Sequence, residues 1–85
     1  MYIDRPVWPG HGRVWAHLIS DESFDELHVF AQTIGIPRRA FDGDHYDVVA
    51  EMWEQAVASG ARPTVSKEIV RRLRTSDLRR PKHLR

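Results

Sequence analysis

Cysteine is absent from the 85 residues of the chain. This excludes disulfide bonds and thiolate metal sites, so any metal site must use histidine and carboxylate ligands. The fold must then be stabilised by the packing of its core or by such a metal. A chain without cysteine also fits a reducing compartment, and we expect the protein to be cytoplasmic.

Long apolar runs are also missing. The longest ones cover only a few residues, whereas a membrane-spanning helix needs about 20. No signal-peptide pattern opens the chain, and we expect it to have no membrane partner. The hydrophobic content of 41% is nevertheless close to that of globular proteins. The length and composition together predict one globular domain over residues 1–75.

Positive charge is scarce in most of the chain and concentrated at its end. Residues 1–66 contain five basic and ten acidic residues, whereas residues 67–85 contain eight basic and two acidic ones. Residues 76–85 are therefore predicted to form a basic, flexible tail. Five arginines near this end are candidates for binding a nucleic acid or an acidic protein partner: Arg71, Arg72, Arg74, Arg79 and Arg80. No Trp, Tyr or Phe follows Trp53, so the tail lacks a platform for base stacking. The alternative is a solvated tail, or one that lies against an acidic body.

The apolar periodicity indicates both strands and helices. Residues 2–4 and 13–20 have strand patterns, and residues 61–65 form a candidate third strand. Three amphipathic segments follow the helical period. We therefore predict an α+β fold, or a small α/β fold, in which a short two- to three-stranded sheet packs against three main helices.

Capping residues place the starts of these helices. Ser23 and Glu26 form a capping box for the first helix. Asp47 is a suitable N-cap for a second helix over residues 48–59, and Ser66 for a third. The polar stretch of residues 42–47 is then predicted to be a loop, in which Asp42 and Asp44 are solvated.

Several short motifs occur in a characteristic order along residues 2–61. They include Tyr2-Ile3-Asp4, the Glu26-Leu27-His28 triplet followed by Phe30-Ala31, and His45-Tyr46-Asp47. In this order the chain resembles a family of small bacterial and phage proteins, the domain-of-unknown-function family numbered 4031. The resemblance implies a pattern of residues but no activity.

The histidines and aspartates of these motifs are the candidate site. His17, His28, His45 and Asp47 are predicted catalytic residues, because strand, helix rim and loop could bring them to one edge of the domain. A divalent metal could be held by His17, His45 and Asp47, together with Asp4, and would activate a water molecule. Without a metal, a histidine oriented by an aspartate could act as a general base.

Structural roles explain the same residues one at a time. Asp47 could serve only as a helix cap, and His17 could be a hydrogen-bonded histidine of the core. His28 could lie at the edge of the core with its ring nitrogens in water.

Two functions therefore stay open from the sequence. The first is a metal-assisted hydrolase or a nucleic-acid-processing enzyme that uses the histidines and aspartates. The second is a non-catalytic binding module whose basic C-terminus engages nucleic acid or an acidic protein. The substrate, the metal and the oligomeric state are left open.

Overall fold

The longest strand of the fold, β3 (Arg13–Ile19), lies in the middle of a six-stranded sheet. The computed structural model describes residues 1–76 and Leu78. The other strands are β1 (Tyr2–Ile3), β2 (Trp8–Gly10), β4 (Phe41–Asp42), β5 (His45–Val49) and β6 (Arg62–Pro63). Their order is β4-β5-β3-β1-β6, and β2 forms a hairpin with the first half of β3. Only the β1–β6 pair is parallel among the strand pairs of the described residues.

Three helices pack on this sheet: α1 (Phe24–Thr33), α2 (Trp53–Ala58) and α3 (Ser66–Thr75). Short 3₁₀ turns at Arg38–Ala40 and Ala50–Met52 precede β4 and α2. Within the described residues, no helix is long and apolar enough to cross a membrane. The mixed α+β class and the three main helices are confirmed.

The alternation of side chains along β3 divides the molecule into two sides. Ala16 and Leu18 point into the main core, where they meet Leu27 and Ala31 of α1 and Ala56 of α2. On the other face, Ile19 packs against Ile69 and Leu73 of α3. Helix α3 covers this second face at the Ile19 end, and the side chain of His17 on the same face stays partly exposed.

The prediction of a two- to three-stranded sheet is wrong, because the sheet has six strands. Three strands were missed, β2, β4 and β5. Two of them, β2 and β4, cover only three and two residues, which is too short for an alternating pattern to be visible. Strand β2 also contains Pro9, a residue that argues against a strand unless it lies at an edge.

The polar stretch predicted as a loop forms the β4–β5 hairpin instead. Tyr46 and Val48 are buried while His45, Asp47 and Val49 are partly exposed, so β5 has the period of a half-buried strand. Helix α2 begins only at Trp53. The N-cap prediction for Asp47 is therefore wrong, and the carboxylate of Asp47 is free for another role.

The other two predicted helix caps, at Ser23 and Ser66, agree with the structure only in part. The Oγ of Ser23 accepts a hydrogen bond from the backbone N–H of Glu26, as predicted. The Glu26 carboxylate, however, accepts a hydrogen bond from Ser20 Oγ at 3.0 Å rather than completing the box. Ser66 is the first residue of α3, and Val65 occupies its N-cap position. The predicted tail lies outside the described residues apart from Ser76 and Leu78.

Candidate metal centre

His17 lies between two aspartates that belong to the neighbouring strands. On one side it is directly opposite Asp47 in the antiparallel pairing of β3 with β5. On the other side, the N–H of Asp4 donates to the carbonyl of His17 at 3.1 Å, which continues the pairing of β1 with β3. Side chains that stand opposite one another share a face of the sheet, so the three side chains lie in a row across its outer face.

Asp4 is buried and holds the imidazole of His17 in place. Its Oδ1 accepts the backbone N–H of His17 at 2.6 Å, and its Oδ2 lies 2.8 Å from His17 Nδ1. Oδ2 also accepts hydrogen bonds from Trp8 Nε1 at 3.0 Å and from Ser66 Oγ at 2.9 Å. Burial raises the pKa of Asp4, but the hydrogen bonds from His17 and Ser66 outweigh it and lower the pKa below its ordinary value. An ionised Asp4 requires a proton on Nδ1 of His17, which leaves the lone pair of Nε2 pointing away from Asp4.

His45 is held in the same way by a second buried aspartate. Its Nδ1 lies 2.8 Å from Oδ1 of Asp44, and its Nε2 lies 3.3 Å from Oδ1 of Asp47. Burial lowers the pKa of His45, but the hydrogen bond with Asp44 and the charges of nearby aspartates raise it overall above 6.5. The rings of His45 and His17 meet edge to face, with centroids 5.0 Å apart.

His17, His45 and Asp47 thus form a compact group, the His-His-Asp triad. One ligand atom from each residue lies within 4.8 Å of the others. The side chains are 29%, 17% and 41% exposed, so the group is open to solvent on one side. Two imidazoles and one carboxylate suit zinc and other first-row divalent metals. Three protein ligands also leave at least one coordination position open for water or substrate.

A cleft of about 750 Å³ adjoins the triad. His17 and Asp47 belong to its lining, and the β2–β3 hairpin supplies Trp8, Arg13 and Trp15. The segment around the 3₁₀ turn of residues 38–40 also contributes to the lining. Two of the three triad residues, His17 and Asp47, therefore border a space large enough for a small-molecule substrate.

His28, the fourth predicted catalytic residue, lies elsewhere. Its Nδ1 is 2.8 Å from the hydroxyl of Tyr46, and Tyr46 points to the opposite face of β5 from His45 and Asp47. Burial, and then the positive charge of Arg38, lower the pKa of His28. It lines a separate cleft of about 490 Å³, so the structure does not bring it to the triad.

The arginines of α3 are largely engaged with neighbouring residues. Arg71 pairs with Glu68. Arg72 donates to Asp21 at 3.1 Å, and its guanidinium stacks 3.9 Å from the ring centroid of Tyr2. Arg74 is exposed on α3. Arg79 and Arg80 lie outside the part of the chain that the structure describes.

Three residues of the site are not in the sequence prediction. Asp44 is buried, so the expectation that it is solvated is wrong. The only sequence signal for Asp44 was its position next to His45 in the polar stretch of residues 42–47. Trp8 and Ser66 contact Asp4 from 4 and 62 residues away in sequence, and no local pattern could reveal those contacts.

Comparisons with known proteins give a family but no activity. The sequence model of a family described as "Protein of unknown function (DUF4031)" matches residues 1–76. No curated protein and no solved structure matches the chain.

Proposed function

Since the chain belongs to the DUF4031 family, whose function is unknown, we propose its function from the site itself: a small hydrolase that uses a divalent metal ion held by His17, His45 and Asp47. One observation carries this proposal. Each histidine of the triad has its Nδ1 against a buried aspartate, and the two imidazoles converge on a third carboxylate.

Carboxylates behind the histidines are what a metal centre requires. Metal-binding histidines nearly always donate their second ring N–H to a carboxylate or a carbonyl, which fixes the tautomer and makes the ligand nitrogen more basic. Asp4 and Asp44 provide this contact for His17 and His45. A histidine that only packs in the core would not need a carboxylate at one ring nitrogen. It would also not need to keep its second ring nitrogen open.

The strands also give the triad a rigid frame. His17 is on the central strand, while His45 and Asp47 are alternate residues of its neighbour β5. Ligands on paired strands are held more precisely than ligands on loops. Asp47 does not cap a helix, so its carboxylate is not occupied by the backbone N–H groups of a helix start.

The raised pKa of His45 fits the same proposal. In the metal-free chain, the surrounding aspartates raise the pKa of the His45 imidazole, whose Nε2 lies 3.3 Å from Asp47. A divalent cation at this point would replace the proton and satisfy the same negative charges. The site therefore selects for positive charge between His45 and Asp47.

Hydrolysis is the reaction class that suits an open site of this type. The bound ion would acidify a water molecule and polarise the phosphoryl or carbonyl oxygen of the substrate. The water oxygen bonds to phosphorus or carbon, the bond to the leaving group breaks, and the proton from water passes to the leaving oxygen. In this scheme Asp4 and Asp44 are positioning residues, which keep the two histidines in the metal-binding tautomer.

Isothermal titration with Zn²⁺, Mn²⁺ and Ni²⁺ tests the centre directly. We expect one ion per chain for at least one of these metals. His17→Ala, His45→Ala and Asp47→Ala should each weaken that binding at least tenfold. His28→Gln is the matched control, because His28 lies on the other side of β5, and it should bind as the wild type does. Equal binding by the wild type and the double variant His17→Ala/His45→Ala would refute the site.

Turnover is tested separately with activated phosphate and carboxylate esters. The metal-loaded protein should release nitrophenol from one of them, and the chelator EDTA should stop the reaction. Asp47→Asn should lose this activity in proportion to its loss of metal. Metal binding without any turnover would leave a metal-binding protein and exclude the hydrolase.

A further inference from the structure

The cleft beside the triad is lined by two kinds of side chain, aromatic rings and guanidinium groups. Trp8 and Trp15 stand opposite one another in the β2–β3 hairpin, so both indoles are on one face. Arg13 lies on the same hairpin, and Arg39, on the 3₁₀ turn, also lines the cleft. Flat aromatic surface and guanidinium groups therefore border the same space as the metal ligands.

The two indoles are fixed in position but not fully covered. Trp8 Nε1 donates to Asp4 at 3.0 Å, and Trp15 Nε1 donates to the carbonyl of Gly10 at 2.8 Å. Both N–H groups are therefore engaged within the protein, and the ring of Trp8 also packs at a tilt against His17, with centroids 5.3 Å apart. Trp8 is 41% exposed in a chain that has few large side chains for its core. Trp15 is partly buried, and partly exposed rings held in place at a cleft are suited to stacking on a planar group.

The charge of the cleft favours an anion. Arg39 is exposed, and it has no carboxylate partner within the described residues. Arg13 has one exposed partner, Glu51, at 3.5 Å. Asp47 is the only acidic residue in the lining given by the described part of the chain, and it is a metal ligand of the proposed centre. Guanidinium groups match phosphate oxygens in geometry as well as in charge.

We infer that this cleft binds a nucleoside phosphate, with the base against Trp8 and Trp15 and the phosphate between Arg39 and the metal centre. This inference rests on the proposed hydrolase and names its substrate class. A nucleoside phosphate supplies both a planar aromatic group for the indoles and a phosphate for the guanidinium groups. The volume of about 750 Å³ lies in the range of clefts that hold one small ligand.

Three test ligands distinguish recognition of the base from recognition of the phosphate. Binding of adenosine 5′-monophosphate, of adenosine and of ribose 5-phosphate is measured by calorimetry and by quenching of tryptophan fluorescence. We expect the nucleotide to bind at least tenfold more tightly than either half alone. Ribose 5-phosphate that binds as tightly as the nucleotide would overturn the stacking part, and adenosine that does so would overturn the phosphate part.

Arg39→Gln and Arg38→Gln form a matched pair of variants, because these arginines are neighbours on one turn. Arg38 lines the other cleft, beside His28. Arg39→Gln should weaken nucleotide binding about tenfold and leave adenosine unaffected, whereas Arg38→Gln should change neither. Trp15→Leu should remove the fluorescence quenching from that ring and weaken adenosine and nucleotide alike. Equal effects of the two arginine variants would overturn the inference.

The same titrations with and without metal distinguish the two proposals. Metal binding without nucleotide binding would keep the metal centre and overturn the nucleotide. If the nucleotide still binds in EDTA and this binding depends on Arg39, the cleft is the nucleotide site. The metal centre then has no part in holding the nucleotide. An oligonucleotide that binds more than tenfold more tightly than the mononucleotide would overturn the assignment to a small ligand.

Discussion

At the residue scale, Asp4 connects the site to the fold. One buried carboxylate accepts hydrogen bonds from the backbone and ring of His17, from Trp8 and from Ser66. The carbonyl of Asp4 also accepts Trp53 Nε1 at 2.8 Å. The residue that holds His17 in place therefore also joins β1, β2, β3 and α3.

Asp4→Asn should affect both metal binding and stability. The amide removes the charge that fixes the His17 tautomer, and loss of such a partner typically costs 10–100-fold in metal affinity. It also weakens charged hydrogen bonds, and we expect the free energy of unfolding to fall by about 2 kcal/mol. Calorimetry and urea unfolding measure the two effects. The control is Asp25→Asn on the exposed side of α1, and a similar loss of metal affinity in both variants would contradict the positioning role.

His45 gives the metal-free chain a pH dependence of definite sign. Its folded-state pKa is raised above 6.5, so its contribution to stability is complete below pH 6.5 and is lost as the pH rises through the folded-state value. Metal binding should change in the opposite direction and strengthen with pH, because the ion displaces this proton.

The check compares the wild type with His45→Gln in EDTA. The difference in their free energies of unfolding should shrink from pH 6 to pH 8, and the imidazole resonances of His45 should titrate above pH 6.5. Parallel stability curves for the two proteins would contradict the prediction. His28 has a lowered pKa and an effect of the other sign, but it is present in both proteins and cancels in the difference.

At this scale the sequence identified the three residues that the structure brings together in the triad, but not every aspartate that holds them. His17, His45 and Asp47 were all candidates, because their chemistry is visible in the residue type. Asp44 was dismissed as solvated, and His28 was included although it points to Tyr46. The contacts between the histidine nitrogens and the carboxylates depend on which face of its strand each side chain occupies. Pairing across the sheet decides that face.

At the element scale, the β4–β5 hairpin determines where His45 and Asp47 point. Its turn is tight, because the N–H of Asp44 donates to the carbonyl of Asp42 at 2.8 Å. Gly43, between them, has φ 75°. A shift of one residue in this register would turn the two ligands to the core side.

Gly43→Ala should therefore disturb both the hairpin and the site. A side chain at this positive φ costs about 1–2 kcal/mol, and urea unfolding should show a loss of that size. Metal affinity should fall as well, because Asp44 and His45 follow the turn directly. Gly10→Ala is a suitable control, since its Cβ would meet Trp15 at 3.6 Å, an ordinary contact. An unchanged stability of Gly43→Ala would contradict the assigned turn geometry.

The sequence signals for elements were unequal in strength. Helix α1 has a serine cap and a stripe of apolar residues, and it begins where the predicted cap at Ser23 places it. Strands of two residues such as β1, β4 and β6 carry no period of their own. They become strands because the fold provides a partner for each: β1 pairs with β3, β4 with β5, and β6 with β1. This is information about the whole fold.

At the scale of the whole molecule, a bound metal should stabilise the fold measurably. The triad joins β3 to β5, and binding to the folded state alone adds about 2.7 kcal/mol at a free metal concentration one hundred times Kd. For a domain of this size, each kcal/mol raises Tm by about 4–8 °C, which gives a rise of roughly 10–20 °C. Thermal scanning with metal and with EDTA measures it. His17→Ala/His45→Ala should show no rise, and a rise of the same size in that variant would place the metal elsewhere.

The basic end of the chain is a separate question for the whole molecule. All three triad residues and the lining of the cleft lie within residues 8–52, and Leu78 packs with Ile19, Ile69 and Leu73. A chain that ends after Leu78 should therefore keep the fold, and its affinities for metal and for the nucleotide should stay within about twofold of the full chain. The truncation removes Arg79 and Arg80, so any nucleic-acid affinity that falls steeply with salt should disappear with it. Loss of metal binding on truncation would show that the removed segment, which contains His83, supplies a ligand. Retention of salt-dependent nucleic-acid binding would instead assign it to the arginines of α3.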